Sequence, residues 1–199
     1  LMSKEKRQVL SDELKRILPN SNEKCVNNII RESFINYCLS ELEVLLYPTI
    51  NSDYIRKHVS IIGQEYLDKA LLNGTGVLLL QAHFGAFQML LPILGNCGYI
   101  INQISVSSSL WKAHATSAIQ KIALDKKAQY ENLMPIKHFS AGAFLRPLFH
   151  ALRRNEIVGI TSDGGAARKT VEVHFLGRKA NFPRGVADLA SKTGAVIVP

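Results

Sequence analysis

His83 and Gln88 hold the clearest chemical promise in this chain. They flank Phe84-Gly85-Ala86-Phe87, directly after the apolar run Val77-Leu78-Leu79-Leu80. An imidazole can take a proton from a reacting hydroxyl, and a side-chain amide oxygen can hold the ring by accepting its N–H. Asn73-Gly74-Thr75-Gly76 reads as a helix stop, so the run that follows is predicted as a buried strand over Val77–Gln81 with His83 at its carboxyl end. Open α/β sheets collect their ligands at that edge. Were His83 already helical, Gln88 would lie about 140° around the helix from it and the two could not meet. The pair therefore requires His83 in a turn and Gln88 in the first turns of a helix expected over Phe87–Leu94, with Gly85 bending the backbone between them. Pro92 is expected to kink or shorten that helix.

A lone histidine fits a structural role as well as a catalytic one, so two further stretches matter. Ile157-Val158-Gly159-Ile160-Thr161 is a second buried strand, and it delivers Ser162-Asp163-Gly164-Gly165 to a glycine turn on the same sheet edge as His83. Downstream, Phe182-Pro183-Arg184-Gly185 leads from a predicted hairpin, Val171–Phe175 and Arg178–Phe182 turning at Leu176-Gly177, into a helix. Arg184 beside a helix N-terminus suits an anion. Other motifs do not hold up. Gly74-x-Gly76 precedes its strand, whereas a dinucleotide-binding fingerprint follows one. Ser105, Ser107, Ser108 and Ser109 lack the glycine-flanked elbow of an α/β hydrolase and read as a polar strand end and helix cap.

The elements that must carry these residues alternate. Strands are expected at Val77–Gln81, Tyr99–Val106, Leu133–Ile136, Ile157–Thr161 and Ala195–Val198, with helices between most of them. That pattern predicts an α/β fold: a largely parallel, three-layer sheet flanked by helices. Before it, Leu10, Leu14, Ile17 and Leu18 form one helical stripe, suited to a peripheral or membrane-surface helix. Val26, Ile29, Ile30, Phe34, Tyr37, Cys38, Leu42 and Leu45 form another, ending near Pro48, whose Phe and Tyr are expected in the core. A third helix is expected from Gly63 to Leu72. The organisation predicted is a single domain over 1–199, with a helical cap over 1–72 and an α/β core over 73–199. Its final Val196-Ile197-Val198-Pro199, inside a predicted strand, suggests that a C-terminal portion is missing.

Composition narrows the partners. A formal charge of +8 favours anionic ones: nucleic acid, phospholipid headgroups or an acidic carrier protein. No aromatic-rich basic motif stands out, so nucleic acid is not expected. Cys25, Cys38 and Cys97 are odd in number and lack C-x-x-C spacing, which speaks against a disulfide scaffold or a zinc site and fits a reducing compartment. The apolar stretch Val77–Gly95 holds Gln81, His83, Gln88 and Pro92, and reads as strand plus helix instead of a membrane span.

Taken in order, the Tyr47-Pro48-Thr49 region, "GVLLLQAHFGAFQ", Arg153-Arg154 before "IVGITSDGG", "FLGRKANFPRGVADLA" and "KTGAVIVP" resemble the bacterial lipid A biosynthesis acyltransferase family of the lysophospholipid-acyltransferase superfamily. The resemblance implies an enzyme that moves a fatty acyl group from acyl carrier protein or acyl-coenzyme A to a hydroxyl or amine of a lipid or glycolipid acceptor. It implies His83 as general base with Gln88 holding its tautomer, and Gly85, Asp163, Pro183, Arg184 and Gly185 at the substrate. Backbone N–H groups near Gly85 or Gly164-Gly165 would meet the oxyanion. No metal or cofactor is implied beyond the thioester donor. The location implied is the cytoplasmic face of a bacterial inner membrane, on an anionic surface. The family's motif places an acidic residue where Gln88 stands. A missing carboxylate costs about 10⁴ in turnover in a related triad. The alternative expectation is therefore a catalytically silent relative that binds lipid or acyl carrier protein.

Overall fold

The computed structural model describes residues 4–105, 112–113, 115, 117–140, 146–163 and 169–199. The chain opens with helix α1 (Lys4–Ile17), which ends just before Pro19, and α2 (Glu23–Glu43), whose first turn is capped by Asn22 accepting from the Cys25 amide. A short 3₁₀ segment, Val44–Thr49, takes the chain through Pro48 into α3 (Ser52–His58) and α4 (Gln64–Leu71). The core then alternates: β1 (Val77–Gln81), α5 (Phe87–Asn96), β2 (Ile101–Ser105), α6 (Ala118–Glu131), β3 (Ile136–Ser140), α7 (Arg146–Arg153) and β4 (Ile157–Thr161). A hairpin of β5 (Thr170–Phe175) and β6 (Arg178–Pro183) precedes α8 (Gly185–Thr193) and β7 (Val196–Val198).

Strands β3, β2, β4, β1 and β7 pair in that order, every pairing parallel, so the α/β architecture expected from alternation is the one observed. β1 and β4 are central neighbours, with Gln81 opposite Thr161. Side chains alternate between the two faces. On one face Val77, Leu79, Ile101 and Ile157 pack with Leu91 and Leu94 of α5 and Leu67 of α4. On the other Leu78 and Val158 meet Leu148 and Leu152 of α7 and Leu189 of α8. Gly159 brings α5 close, because a Cβ there would fall 2.7 Å from the Leu91 side chain.

Three expectations shift. The third strand begins at Ile136 and runs to Ser140; the segment Leu133–Pro135 turns into it instead, and buried Met134 joins the core there. Proline lacks an N–H for a ladder, which favours a strand starting after Pro135. On α2 only Val26, Ile30 and Ser40 are buried, while Tyr37, Leu39, Leu42 and, in the 3₁₀ segment, Leu45 face outward. Finally, α5 runs through Pro92 to Asn96. Pro92 has no amide to bond the Gln88 carbonyl four residues back. The Tyr47 hydroxyl fills that role, donating to the Gln88 oxygen at 2.8 Å. Burial first, then Glu131, Glu43 and Glu41, push the Tyr47 pKa well above its ordinary range, so it stays a donor.

Candidate active site

The parallel β1–β4 pairing carries both strands to one edge, and there it joins residues 80 positions apart. His83 leaves β1 through a tight turn, and Asp163 leaves β4 two residues after Thr161. The Asp163 carboxylate receives two contacts from the same residue: Oδ1 lies 2.7 Å from His83 Nδ1, and Oδ2 accepts the His83 backbone N–H at 2.7 Å. Ring and backbone are thereby fixed together. Phe87 meets the imidazole edge-on, its centroid 4.8 Å away, so the ring is braced on a second side. Nδ1 donating to the carboxylate leaves Nε2 as the acceptor, and the His83 side chain is 56% exposed. This is an imidazole positioned to accept a proton from a ligand.

Burial works to raise the Asp163 pKa, but the bonds from the His83 amide and ring, with the imidazole's charge, outweigh it and hold the carboxyl below its ordinary value. A carboxylate in that state keeps its charge beside the ring. It can steady the imidazolium that forms when the ring takes a proton.

The expected pairing of His83 with Gln88 is not made. Gln88 lies in the first turn of α5, but its amide Nε2 donates to the Ser40 carbonyl at 3.1 Å and to Glu41 Oε1 at 3.2 Å. Ser40 in turn donates from Oγ to the Gly85 carbonyl at 3.0 Å. Gln88 thus ties α5 and the His83 turn to α2, and Asp163 takes the place beside the imidazole that sequence reasoning gave to Gln88. Gly85 adopts φ +56, the left-handed region that allows this turn. Ala86, which precedes α5, makes no side-chain cap, and its carbonyl accepts the Met89 amide at 2.9 Å.

The other expected residues make no hydrogen bond or ion pair with this pair among the described residues. Pro183 ends β6 opposite Thr170, and Gly185 opens α8. Arg184 precedes α8 and its guanidinium Nε donates to Asp188 at 2.8 Å, an i,i+4 pair that partly satisfies its charge. Among the described residues no hydrogen bond or ion pair joins Arg184 to His83. Gly164 and Gly165 lie outside the described residues. No cluster of three or more His, Cys, Asp or Glu able to hold a metal occurs among the described residues.

A cavity of about 560 Å³ opens beside His83, lined by Phe87, Leu91, Ile104, Met134 and Ile136 and by several polar groups. Of these, His83 and Gln88 are expected from the sequence, while Glu41, Lys127 and Glu131 are not. Lys127 Nζ is 3.4 Å from Glu41 Oε2. Residues 41 and 127 are 86 positions apart, and no local motif announces their meeting.

Similarity to known proteins follows the same line. The chain is 26% identical, over 171 residues, to phosphatidylinositol mannoside acyltransferases of two strains of Mycobacterium tuberculosis, H37Rv and CDC 1551. Each alignment covers 79% of this chain and 48% of the relative, so the chain spans about half the length of the curated relatives it matches. The match to the family model for bacterial lipid A biosynthesis acyltransferase takes in residues 1–199, and the chain belongs to that family.

Proposed function

We propose that the protein of which this chain forms part transfers a fatty acyl group from a thioester, on acyl carrier protein or coenzyme A, to a hydroxyl or amine of a lipid or glycolipid acceptor. One observation carries this reading: the carboxylate of Asp163 bridges the ring and the amide of His83 at 2.7 Å each. In the proposed reaction the acceptor oxygen or nitrogen attacks the thioester carbonyl carbon while His83 Nε2 takes its proton. The carbonyl π electrons move to oxygen, giving a tetrahedral oxyanion. N–H groups of Gly85 and the uncapped start of α5 are suited to receive that charge. Collapse breaks the C–S bond, the sulfur leaves as a thiol with the proton from the imidazolium, and His83 returns to its starting state. Asp163 holds the reactive tautomer throughout. Atoms and protons balance without a metal or a covalent enzyme intermediate.

The reading of a silent, lipid-binding relative rested on the missing acid at position 88. Asp163 supplies a carboxylate to the imidazole by another route, and that favours catalysis over silence. Thioester turnover separates the two. His83→Ala is expected to abolish release of free thiol from acyl carrier and acyl-coenzyme A donors while the far-ultraviolet circular dichroism stays unchanged; turnover at the wild-type rate would end the general-base mechanism.

We further infer that the chain works at an anionic membrane, the cytoplasmic face of a bacterial inner membrane being the location this implies. No helix among the described residues is long and apolar enough to cross a membrane. The support is an exposed apolar ridge, Ile35, Leu39 and Leu42 of α2 with Leu45 and Leu46 beyond it, and Phe84, 87% exposed beside His83. The net charge of +8 complements anionic headgroups. Ser40 joins this helix to the His83 turn, which puts the ridge and the proposed reaction on connected elements.

A further inference from the structure

Two serines of α2 use their hydroxyls differently. Ser33 Oγ donates to the Ile29 carbonyl four residues back, at 2.8 Å, the local bond that helical serines commonly make. Ser40 Oγ instead donates to the Gly85 carbonyl at 3.0 Å, 45 positions away in the His83 turn. Ser40 is 3% exposed, the single buried residue in the second half of α2 after Val26 and Ile30 in the first. The bond is also returned. The Ser40 carbonyl belongs to the last turn of α2, where the Val44 amide bonds Leu42, and Gln88 Nε2 donates to the Ser40 oxygen at 3.1 Å. One serine therefore grips the chain on both sides of Ala86 and Phe87, at Gly85 and at Gln88.

Packing does not dictate how the Gly85 peptide is rotated. Gly85 sits at φ +56, and a Cβ built on it would meet nothing within 4 Å. The Gly85–Ala86 peptide is trans, so its C=O and its N–H point in opposite directions. Holding the carbonyl toward Ser40 turns the Ala86 N–H away from α2, in an exposed turn three residues from His83. Among the described residues no acceptor takes the Gly85 or the Ala86 N–H. A hydrogen bond accepted by a peptide carbonyl also polarises the N–H of the same peptide unit, which makes that N–H a stronger donor.

We propose that Ser40 is a positioning residue for acyl transfer: through the Gly85 carbonyl it orients and polarises the Ala86 N–H as a donor to the oxyanion of the tetrahedral intermediate. The assignment rests on the acyl-transfer reading and adds to it a residue from the helical cap. Ser40 touches no reacting atom. Its hydroxyl counts most when negative charge reaches the thioester oxygen, so its loss belongs to kcat and not to KM. Folding does not need it. Alanine is the best helix former, and the Gly85 carbonyl lies in an exposed turn where water can take over the bond.

The test compares wild type, Ser40→Ala, Ser40→Thr, Ser33→Ala and His83→Ala in the full-length protein. Thiol release is followed from dodecanoyl-coenzyme A and dodecanoyl-acyl carrier protein, with extracted bacterial lipid as acceptor. In Ser40→Ala kcat is expected to fall about 10- to 100-fold, short of the loss of a whole oxyanion donor, with KM within about twofold of wild type. Its melting temperature falls by no more than about 4 °C. Ser40→Thr keeps the hydroxyl and returns kcat to within about threefold of wild type, while Ser33→Ala matches wild type. Amide NMR adds a readout that needs no turnover: the Ala86 resonance shifts in Ser40→Ala and stays in place in Ser33→Ala. Ser40→Ala at wild-type kcat, or with the Ala86 resonance unmoved, overturns the proposal and leaves the transfer reading intact. So does a loss of kcat that Ser40→Thr, melting like wild type, fails to restore. Thiol release undiminished in His83→Ala, or absent from wild type while the Ala86 resonance still answers to Ser40→Ala, removes the transfer reading and the role of Ser40 with it.

Discussion

At the scale of single residues, His83 has its carboxylate from a different strand, and substitutions should sort accordingly. Asp163→Asn keeps the shape of the side chain but removes the charge that, in the proposed reaction, steadies the imidazolium. Turnover is expected to fall by about 10⁴, the order seen when the comparable acid of a Ser-His-Asp triad becomes an amide, with KM little changed. Steady-state assay of thiol release checks this, and an undiminished kcat would exclude Asp163 from the mechanism. Gln88→Glu tests the alternative at position 88. Because the Gln88 amide lies 3.2 Å from Glu41 Oε1, a glutamate there sets two carboxylates against each other. The expected result is no gain in turnover and a melting temperature lower by about 2–4 °C, equivalent to a cost of the order of 1 kcal/mol for a chain of this size. A rise in activity would show that position 88 can serve the imidazole after all.

At the scale of elements, α5 depends on its neighbour. The Tyr47 hydroxyl substitutes for the amide that Pro92 lacks, so Tyr47→Phe leaves the Gln88 carbonyl without that bond. A cost of about 1–3 kcal/mol is expected, together with faster amide exchange in the first turns of α5. Exchange confined to α2 would contradict it. The same scale explains what could be read in advance. β1 and β4 occupy the predicted residues because short aliphatic runs between turn signals announce buried strands. Which strand lies beside which is not written locally, so the sequence puts Asp163 on the right edge without pairing it with His83. Gln88 is the nearer partner only in sequence. The stripe on α2 was legible as helix but not as exposed: periodicity specifies an apolar face without saying what covers it. Glu41 and Lys127 meet only after α2 and α6 are packed, and neither segment contains a signal for the other.

At the scale of the whole molecule, charge and apolar exposure combine. Each exposed leucine of the α2 ridge that enters lipid contributes about 1.5–3 kcal/mol. Leu39→Asp with Leu42→Asp is therefore expected to weaken sedimentation with vesicles containing anionic lipid by at least about a hundredfold, and added salt should weaken the wild type too. Vesicle binding insensitive to both would remove the membrane reading. Acid stability follows from two depressed carboxyls. Glu156, buried and held by Arg154 through Nε at 2.7 Å and by Asn102 at 2.9 Å, lies below its ordinary 4.5, its bond to Arg154 being the largest cause. Asp163 lies below its ordinary 3.8, its bonds to His83 overcoming burial. Groups lowered by folding stabilise the chain fully above those ordinary values, and the benefit drains away as pH falls through the folded ones. Glu131, raised by burial, acts oppositely and favours the folded chain more as pH falls toward 4.5. The urea midpoint should drop between about pH 5 and about pH 3, and drop less in Glu156→Gln.

The reach from His83 to Asp163 also has a meaning in time. Between them lie α5, β2, α6, β3 and α7, all of which are synthesised before β4 can settle against β1. During synthesis or refolding, a chain that has formed its first strand and the His83 turn still has an imidazole with no carboxylate. Competence for proton transfer should consequently arrive in one step, no earlier than closure of the central strand pair, and never in a half-assembled chain.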